Sequence, residues 1–242
     1  MNENYKNIFY KHYVSTHTRV GCVPDLGRRK PYLKNIVKSY FPSRKDSKIL
    51  EIGCGDGSLM SMAQGLGYEN IFGVDASKEQ IDIALKSGIN NIQHIEFAAY
   101  IGAQPSSSLD MVIAIDVFEH MTKLELMNTL KEVFRVLVPG GSLLIHVPNA
   151  VSPFFGRVYF GDFTHEQAFT QASINQLLRI VGFNTVVCHE ESPVIHGVSS
   201  LVRWIFWKIL RVIFLIMLVV ETGISNEIFS ANIFVAASKK HE

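Results

Sequence analysis

Two histidines stand beside carboxylates in a way that suits proton transfer. His120 closes Asp116-Val-Phe-Glu119-His120, and His165 lies in Asp162-Phe-Thr-His165-Glu166. A neutral imidazole acts as a general base near pH 7, and a neighbouring carboxylate orients it and raises its pKa. Asp116 completes the candidate catalytic set, although either histidine could do no more than hydrogen-bond a loop in place. His146, on an apolar run, reads as a satisfied core residue. Asp162, His165 and Glu166 could ligate a divalent ion, but three polar loop residues are poor evidence for one, and no metal is expected.

A second group of residues is suited to holding a small ligand. In Lys48 to Met60, KILEIGCGDGSLM, a strand-like run (Ile49, Leu50, Ile52) carries Glu51, meets Gly53, Gly55 and Gly57, and leads into a helix near Ser58. Such glycines allow positive φ and close approach of a ligand to the backbone, and a helix start offers free N–H groups. A dinucleotide fingerprint would want a glycine at position 58, where this chain has Ser58. The next strand, Asn70 to Asp75, ends in an acid about 20 residues beyond the loop, where a carboxylate can accept from a ribose diol.

EIGCGDG, GVDAS, LDMVIAIDVFEHM and LKEVFRVLVPGGSLLIHVPN, in that order and spacing, resemble successive core motifs of the class I S-adenosylmethionine-dependent methyltransferases. The likeness runs from about Ser47 to Phe183, with a closing strand near the C-terminus. It is greatest to O-methyltransferases of the ubiquinone-biosynthesis type and of bacterial surface-polysaccharide gene clusters. The resemblance implies a Rossmann-like, doubly wound, seven-stranded α/β sheet, mostly parallel with an antiparallel last strand. It implies S-adenosyl-L-methionine as cofactor, held by Glu51, Gly53, Gly55, Gly57, Asp75, Ala76, Phe97, Ala98 and Asp116. It places the Glu119-His120 pair on the active-site floor. Family members often carry an acid after the third strand that binds the adenine amine. Here that position falls at or near Ala98, so backbone groups and Phe97 are expected to hold the adenine.

The chain has 242 residues, 48% hydrophobic, enough for one α/β domain with insertions. A net charge of +1 gives no general basic field for nucleic acid. MNENYKNIFYKH lacks the pattern of a secretory signal, so a cytoplasmic location is expected. Cys22, Cys54 and Cys188 form neither a disulfide framework nor a zinc pattern, and read as reduced thiols.

Residues 1–46 are expected to form a helical cap and 47–242 the methyltransferase domain, with insertions at 148–172 and 192–228. In the cap, Tyr5, Phe9 and Tyr13 share a helical face, and Tyr10, Tyr13 or His17 could line the site; aromatic packing is the simpler account. Pro24 to Gly27 reads as a turn and Tyr32 to Tyr40 as a short helix. Strands are predicted at 48–53, 70–75, 92–96, 109–115, 142–147, 184–190 and 229–238, with helices at 58–66, 77–86, 122–137 and 173–181. Ser77 and Gln80 form a capping box and need no chemistry. Phe154, Phe155, Tyr159, Phe160, Phe163 and Phe169 mark the first insertion as a substrate pocket, with core packing expected to take at least half of these rings.

The second insertion contains LVRWIFWKILRVIFLIMLVV, residues 201–220, in which only Arg203, Lys208 and Arg211 are charged. Cations in its first half make it a poor membrane-spanning helix. Three readings stand: a helix lying in the inner membrane face, a homodimer face, or a lid over the pocket. The expected activity is O-methylation of a sugar hydroxyl on a surface-glycan precursor, the hydrophobic helix pointing to a lipid-linked one. The alternatives are a methyltransferase of quinone or other lipophilic small-molecule biosynthesis, and a non-catalytic cofactor-binding scaffold.

Overall fold

The computed structural model describes residues 5–12, 15 and 26–241. Cys22, Tyr13, His17, Pro24 and Asp25 lie outside them. A seven-stranded sheet in the order β3-β2-β1-β4-β5-β7-β6 organises the chain. Its strands are β1 (Ile49–Ile52), β2 (Ile71–Asp75), β3 (Ile92–His94), β4 (Leu109–Ile115), β5 (Leu137–Pro148), β6 (Thr185–Glu190) and β7 (Asn232–Ser238). β1 to β5 run parallel, and β7 is antiparallel to both β5 and β6. All four residues of β1 are buried, as a central strand covered on both faces requires.

Ahead of the sheet lie α1 (Tyr5–Lys11) and α2 (Leu26–Tyr40), and between the strands come α3 (Ser58–Gly65), α4 (Lys78–Lys86), α5 (Phe97–Gly102) and α6 (Lys123–Val136). α7 (Phe155–Tyr159), α8 (Gln171–Val181) and α9 (Val198–Thr222) follow β5. One core cluster packs α2, α3 and α4 on one face of the sheet through Ile36, Val37, Met60 and Ile81. The other packs α6 and α8 on the opposite face through Leu130, Val133, Ile174 and Leu178.

Several boundaries differ from the sequence expectation. α2 begins at Leu26, taking in Leu26 and Gly27 of the expected turn, and runs through Pro31. Proline removes one helical hydrogen bond there, while Leu33, Ile36 and Val37 bury the helix face. β5 starts at Leu137, before Pro139-Gly-Gly141, because Leu137 pairs with Leu109 and a register shift then absorbs the intervening residues. α5 was not foreseen; it starts at Phe97 because β3 ends early, at His94.

Candidate active site

The carboxyl ends of β1, β2 and β4 open into a cavity of about 720 Å³, within the usual range of small-molecule sites. β1 leads into the glycine loop, where Gly53, Gly55 and Gly57 all have positive φ. At Gly53 the need for glycine is double: φ is +66°, and a Cβ would come within 2.4 Å of Val117 Cγ2. At Gly55 a Cβ would have only the Gln80 side chain within 4 Å, so the backbone is bare toward the cavity.

Asp75, at the end of β2, fixes this loop. Its Oδ2 accepts from Gly55 N at 2.8 Å and its Oδ1 from Ser77 N at 2.7 Å. A carboxylate has about four acceptor sites, so two stay available to a diol. Burial raises the Asp75 pKa, and the two backbone N–H groups oppose that rise.

Glu51 is 4% exposed, and its Oε2 has no partner among the described residues. Burial, then the nearby Asp56 and Asp75, push its pKa up to about 8, with Arg29 opposing. A buried, unmatched acid on a cavity wall suits a cationic group of a ligand.

Phe97 and Ala98 also line the cavity, and so does Glu96, the residue at the N-cap of α5. Glu96 supplies the acid that the sequence lacks at Ala98, two residues earlier than its expected position. Gln80 is a further missed lining residue. Ser77 caps α4 by accepting from Gln80 N, but the Gln80 side chain stands beside the glycine loop instead of closing a capping box. Tyr10 and Lys6 bring α1 over the mouth. There Lys6 meets Glu125 at 3.0 Å, the Tyr5 hydroxyl donates to Glu166, and Phe9 stacks on Phe163.

Asp116, at the end of β4 with φ of 55°, lines the cavity and meets His146 Nδ1 at 2.6 Å. His146 Nε2 lies 3.5 Å from Glu191, which also bonds the Tyr32 hydroxyl. Burial alone would lower the His146 pKa, but the two carboxylates outweigh it and hold the proton up to about 10. Asp116, its side chain 59% exposed by surface area but desolvated by the surrounding cavity wall, is held below the ordinary carboxylate range by His146.

His120 ends a 3-10 turn, Phe118–His120, and lines the cavity. Its ring lies 4.8 Å from that of His165. The two meet because Glu119 O accepts from Glu166 N at 2.7 Å and from Gln167 N at 2.9 Å, pinning the first insertion to the turn. His120 Nδ1 contacts Thr164 Oγ1 at 2.8 Å, and His165 Nδ1 contacts Tyr159 O at 2.9 Å. Burial, then His165, lower the His120 pKa to about 4, so it is neutral at pH 7.

No lining residue of the cavity comes from either insertion. That removes support from the lid reading of α9. In the first insertion, core packing claims only Phe169; Phe160 and Phe163 are 79% and 80% exposed, contrary to the expectation that packing would absorb half the rings.

A family model described as "Methyltransferase domain" matches residues 26–189. A probable S-adenosylmethionine-dependent methyltransferase of Mycolicibacterium smegmatis is 27% identical over 150 residues, covering 62% of this chain and 55% of that one. A ubiquinone biosynthesis O-methyltransferase of Rickettsia bellii is 26% identical over 109 residues, covering 43% of this chain and 45% of that one. The matched regions thus span about half of these relatives. A solved SAM-dependent methyltransferase of Archaeoglobus fulgidus superposes with a TM-score of 0.66 at 18% identity, over 98% of this chain and 100% of that one. The chain belongs to the methyltransferase-domain family, as a class I, S-adenosylmethionine-dependent member.

The residues present fit that cofactor. The bare glycine loop and Asp75 suit its ribose, Glu51 its ammonium group, and Glu96, Phe97 and Ala98 its adenine.

Proposed function

We propose that the chain O-methylates a hydroxyl on a lipid-borne acceptor, in the first instance a sugar of a lipid-linked surface-glycan precursor. S-adenosyl-L-methionine, when bound, supplies a methyl group on a positively charged sulfur. The protein binds and aligns, because holding an acceptor oxygen about 3 to 3.5 Å from the carbon it attacks accounts for much of such a rate. Glu51 and the glycine loop fix the donor end. An acceptor entering the cavity meets His120, whose ring lies 4.8 Å from that of His165, and there its hydroxyl loses its proton.

The observation that carries the lipid-borne reading is the outward face of α9. Its 25 residues span about 37 Å. Lys208 and Arg211 turn inward to Glu190 at 3.2 and 3.1 Å. Val202, Ile205, Phe206, Ile209, Ile213 and Ile216 are left in an unbroken exposed stripe. Glu190 ends β6, at the same sheet edge as the carboxyl end of β5 and so as the cavity. Exposed Lys30, Lys34 and Lys38 share a groove with Val194, Ile195 and His196, which lead into α9. Apolar and cationic surfaces side by side suit an anionic bilayer interface better than a second copy bearing the same charges. Among the described residues no helix is long and apolar enough to cross a membrane.

Similarity to a ubiquinone biosynthesis O-methyltransferase favours a second reading, a quinone-type acceptor. Purified protein, cofactor labelled in the methyl group and an extract of source cells lacking this gene test both. Label in lipid-linked sugar supports the first reading and label in a lipophilic small molecule the second. Label confined to protein or nucleic acid overturns both.

A further inference from the structure

Glu119, His120 and His165 converge beside the cavity, one donor atom from each lying within 4.8 Å of the other two. Glu119 is 1% exposed, and its Oε2 has no hydrogen-bond partner. The ring contacts fix what the two imidazoles present. Tyr159 O can only accept, so His165 Nδ1 carries the proton and Nε2 a lone pair. Thr164 Oγ1 donates to Asp162 Oδ1 at 2.7 Å, so it accepts from His120 Nδ1–H, and His120 Nε2 is likewise a lone pair.

A buried carboxyl with an unmatched oxygen and two imidazoles, each left with one nitrogen lone pair to offer, are therefore brought together. Leaving such groups unmatched is costly, and one cation satisfies all three. We propose that Glu119, His120 and His165 bind a divalent transition-metal ion. Two imidazoles and one carboxylate suit an ion such as manganese, iron, cobalt or zinc, with positions left open. Both rings already have the outer hydrogen bonds that orient metal-bound histidines, Thr164 and Asp162 behind His120 and the Tyr159 carbonyl behind His165. Of the loop trio considered from sequence, only His165 takes part: Asp162 backs Thr164, and Glu166 bonds Tyr5.

The consequence for catalysis rests on the reading that the acceptor hydroxyl arrives at this corner. Its oxygen then coordinates the ion at an open position and its O–H bond breaks. The electron pair stays on oxygen and the proton passes to water. The histidines act as ligands in that step instead of taking the proton themselves.

The full chain, stripped with EDTA, is titrated with Mn²⁺ by calorimetry and with Co²⁺ by visible absorption. One equivalent is expected to bind, at least ~10-fold more weakly in Glu119→Gln and in His165→Ala. Absence of stoichiometric uptake, or equal uptake by both variants, overturns the site. Should Glu119→Gln fail to fold by circular dichroism, the half-buried His165→Ala carries the test. S-adenosylhomocysteine titrated into the same samples separates the two readings: tight binding without metal uptake fails only the metal site, and no binding fails the methyltransferase reading.

Discussion

Asp116 Oδ1 and His146 Nδ1 lie 2.6 Å apart, and this contact joins the cavity to the core of the sheet. His146 sits on β5, buried, and reaches Glu191 with its other nitrogen at 3.5 Å. Tyr32 of α2 bonds the same Glu191. One imidazolium thus orients the acid at the end of β4 and ties α2 to the sheet edge. Removing either carboxylate leaves a buried charge short of its partner.

The His146 proton makes the fold pH-sensitive in a defined direction. Its pKa is about 10 in the folded chain against an ordinary 6.5. The stabilisation is therefore complete below about pH 6.5 and lost as pH rises through about 10. Urea unfolding at about pH 6, 8 and 10 should show stability falling over that range, and the fall should flatten in His146→Gln. An unchanged slope in the variant would assign the dependence to other groups.

Glu51 gives cofactor binding its own pH signature. With a pKa of about 8 it is mostly protonated at pH 7 in the free protein. A cationic ligand ammonium favours the carboxylate, so binding releases a proton and affinity rises with pH up to about 8. Calorimetry with S-adenosylhomocysteine in buffers of different ionisation enthalpy counts that proton. Glu51→Gln should weaken binding by about 10- to 100-fold and abolish the proton release; a variant that still releases the proton refutes the assignment.

The sheet was legible because period and punctuation carry it: most strands are built on an apolar run, several of them ending at a glycine, a proline or an acid, and β1 to β7 fall within a few residues of their expected places. The loop glycines, Asp75 and Asp116 were legible for the same reason, since they sit at strand ends. What depends on three-dimensional neighbours was not. The meeting of His120 with His165 requires the Glu119 carbonyl to pin residues 166 and 167, which no spacing announces. Glu96 was missed because the position was counted back from Asp110 and the third strand was expected to run to residue 96, whereas β3 ends at His94 and Glu96 is the N-cap residue of the next helix. Of the three cations of 201–220, Lys208 and Arg211 turn to a half-buried partner on β6 while Arg203 stays exposed, a division that spacing alone does not announce.

Gly53 separates strain from crowding. Alanine there must adopt φ of +66° and displace Val117, whose Cγ2 lies 2.4 Å from the new Cβ. Gly53→Ala should lose about 2–4 kcal/mol of stability. Adding Val117→Ala should return the steric part, about 1–2 kcal/mol, and leave the backbone part in place. Denaturant midpoints of the two variants measure the division; no recovery in the double variant would mean that backbone strain dominates.

The two faces of α9 can be tested against each other. Glu190 is the inward partner of Lys208 and Arg211, so Glu190→Gln leaves both cations unpaired and should lower stability by about 1 kcal/mol, the side chains being partly exposed. Ile209 and Ile216 point outward, at 52% and 57% exposure, and contribute little to the fold. Changing both to aspartate should leave the melting temperature unchanged or higher. It should also abolish sedimentation with vesicles containing anionic lipid, because two carboxylates in the stripe oppose both burial in acyl chains and the negative surface. Sedimentation that survives the double aspartate variant would remove the helix from the membrane contact. Loss of melting temperature in that variant would mean that the outward face is packed within the protein or against a second copy.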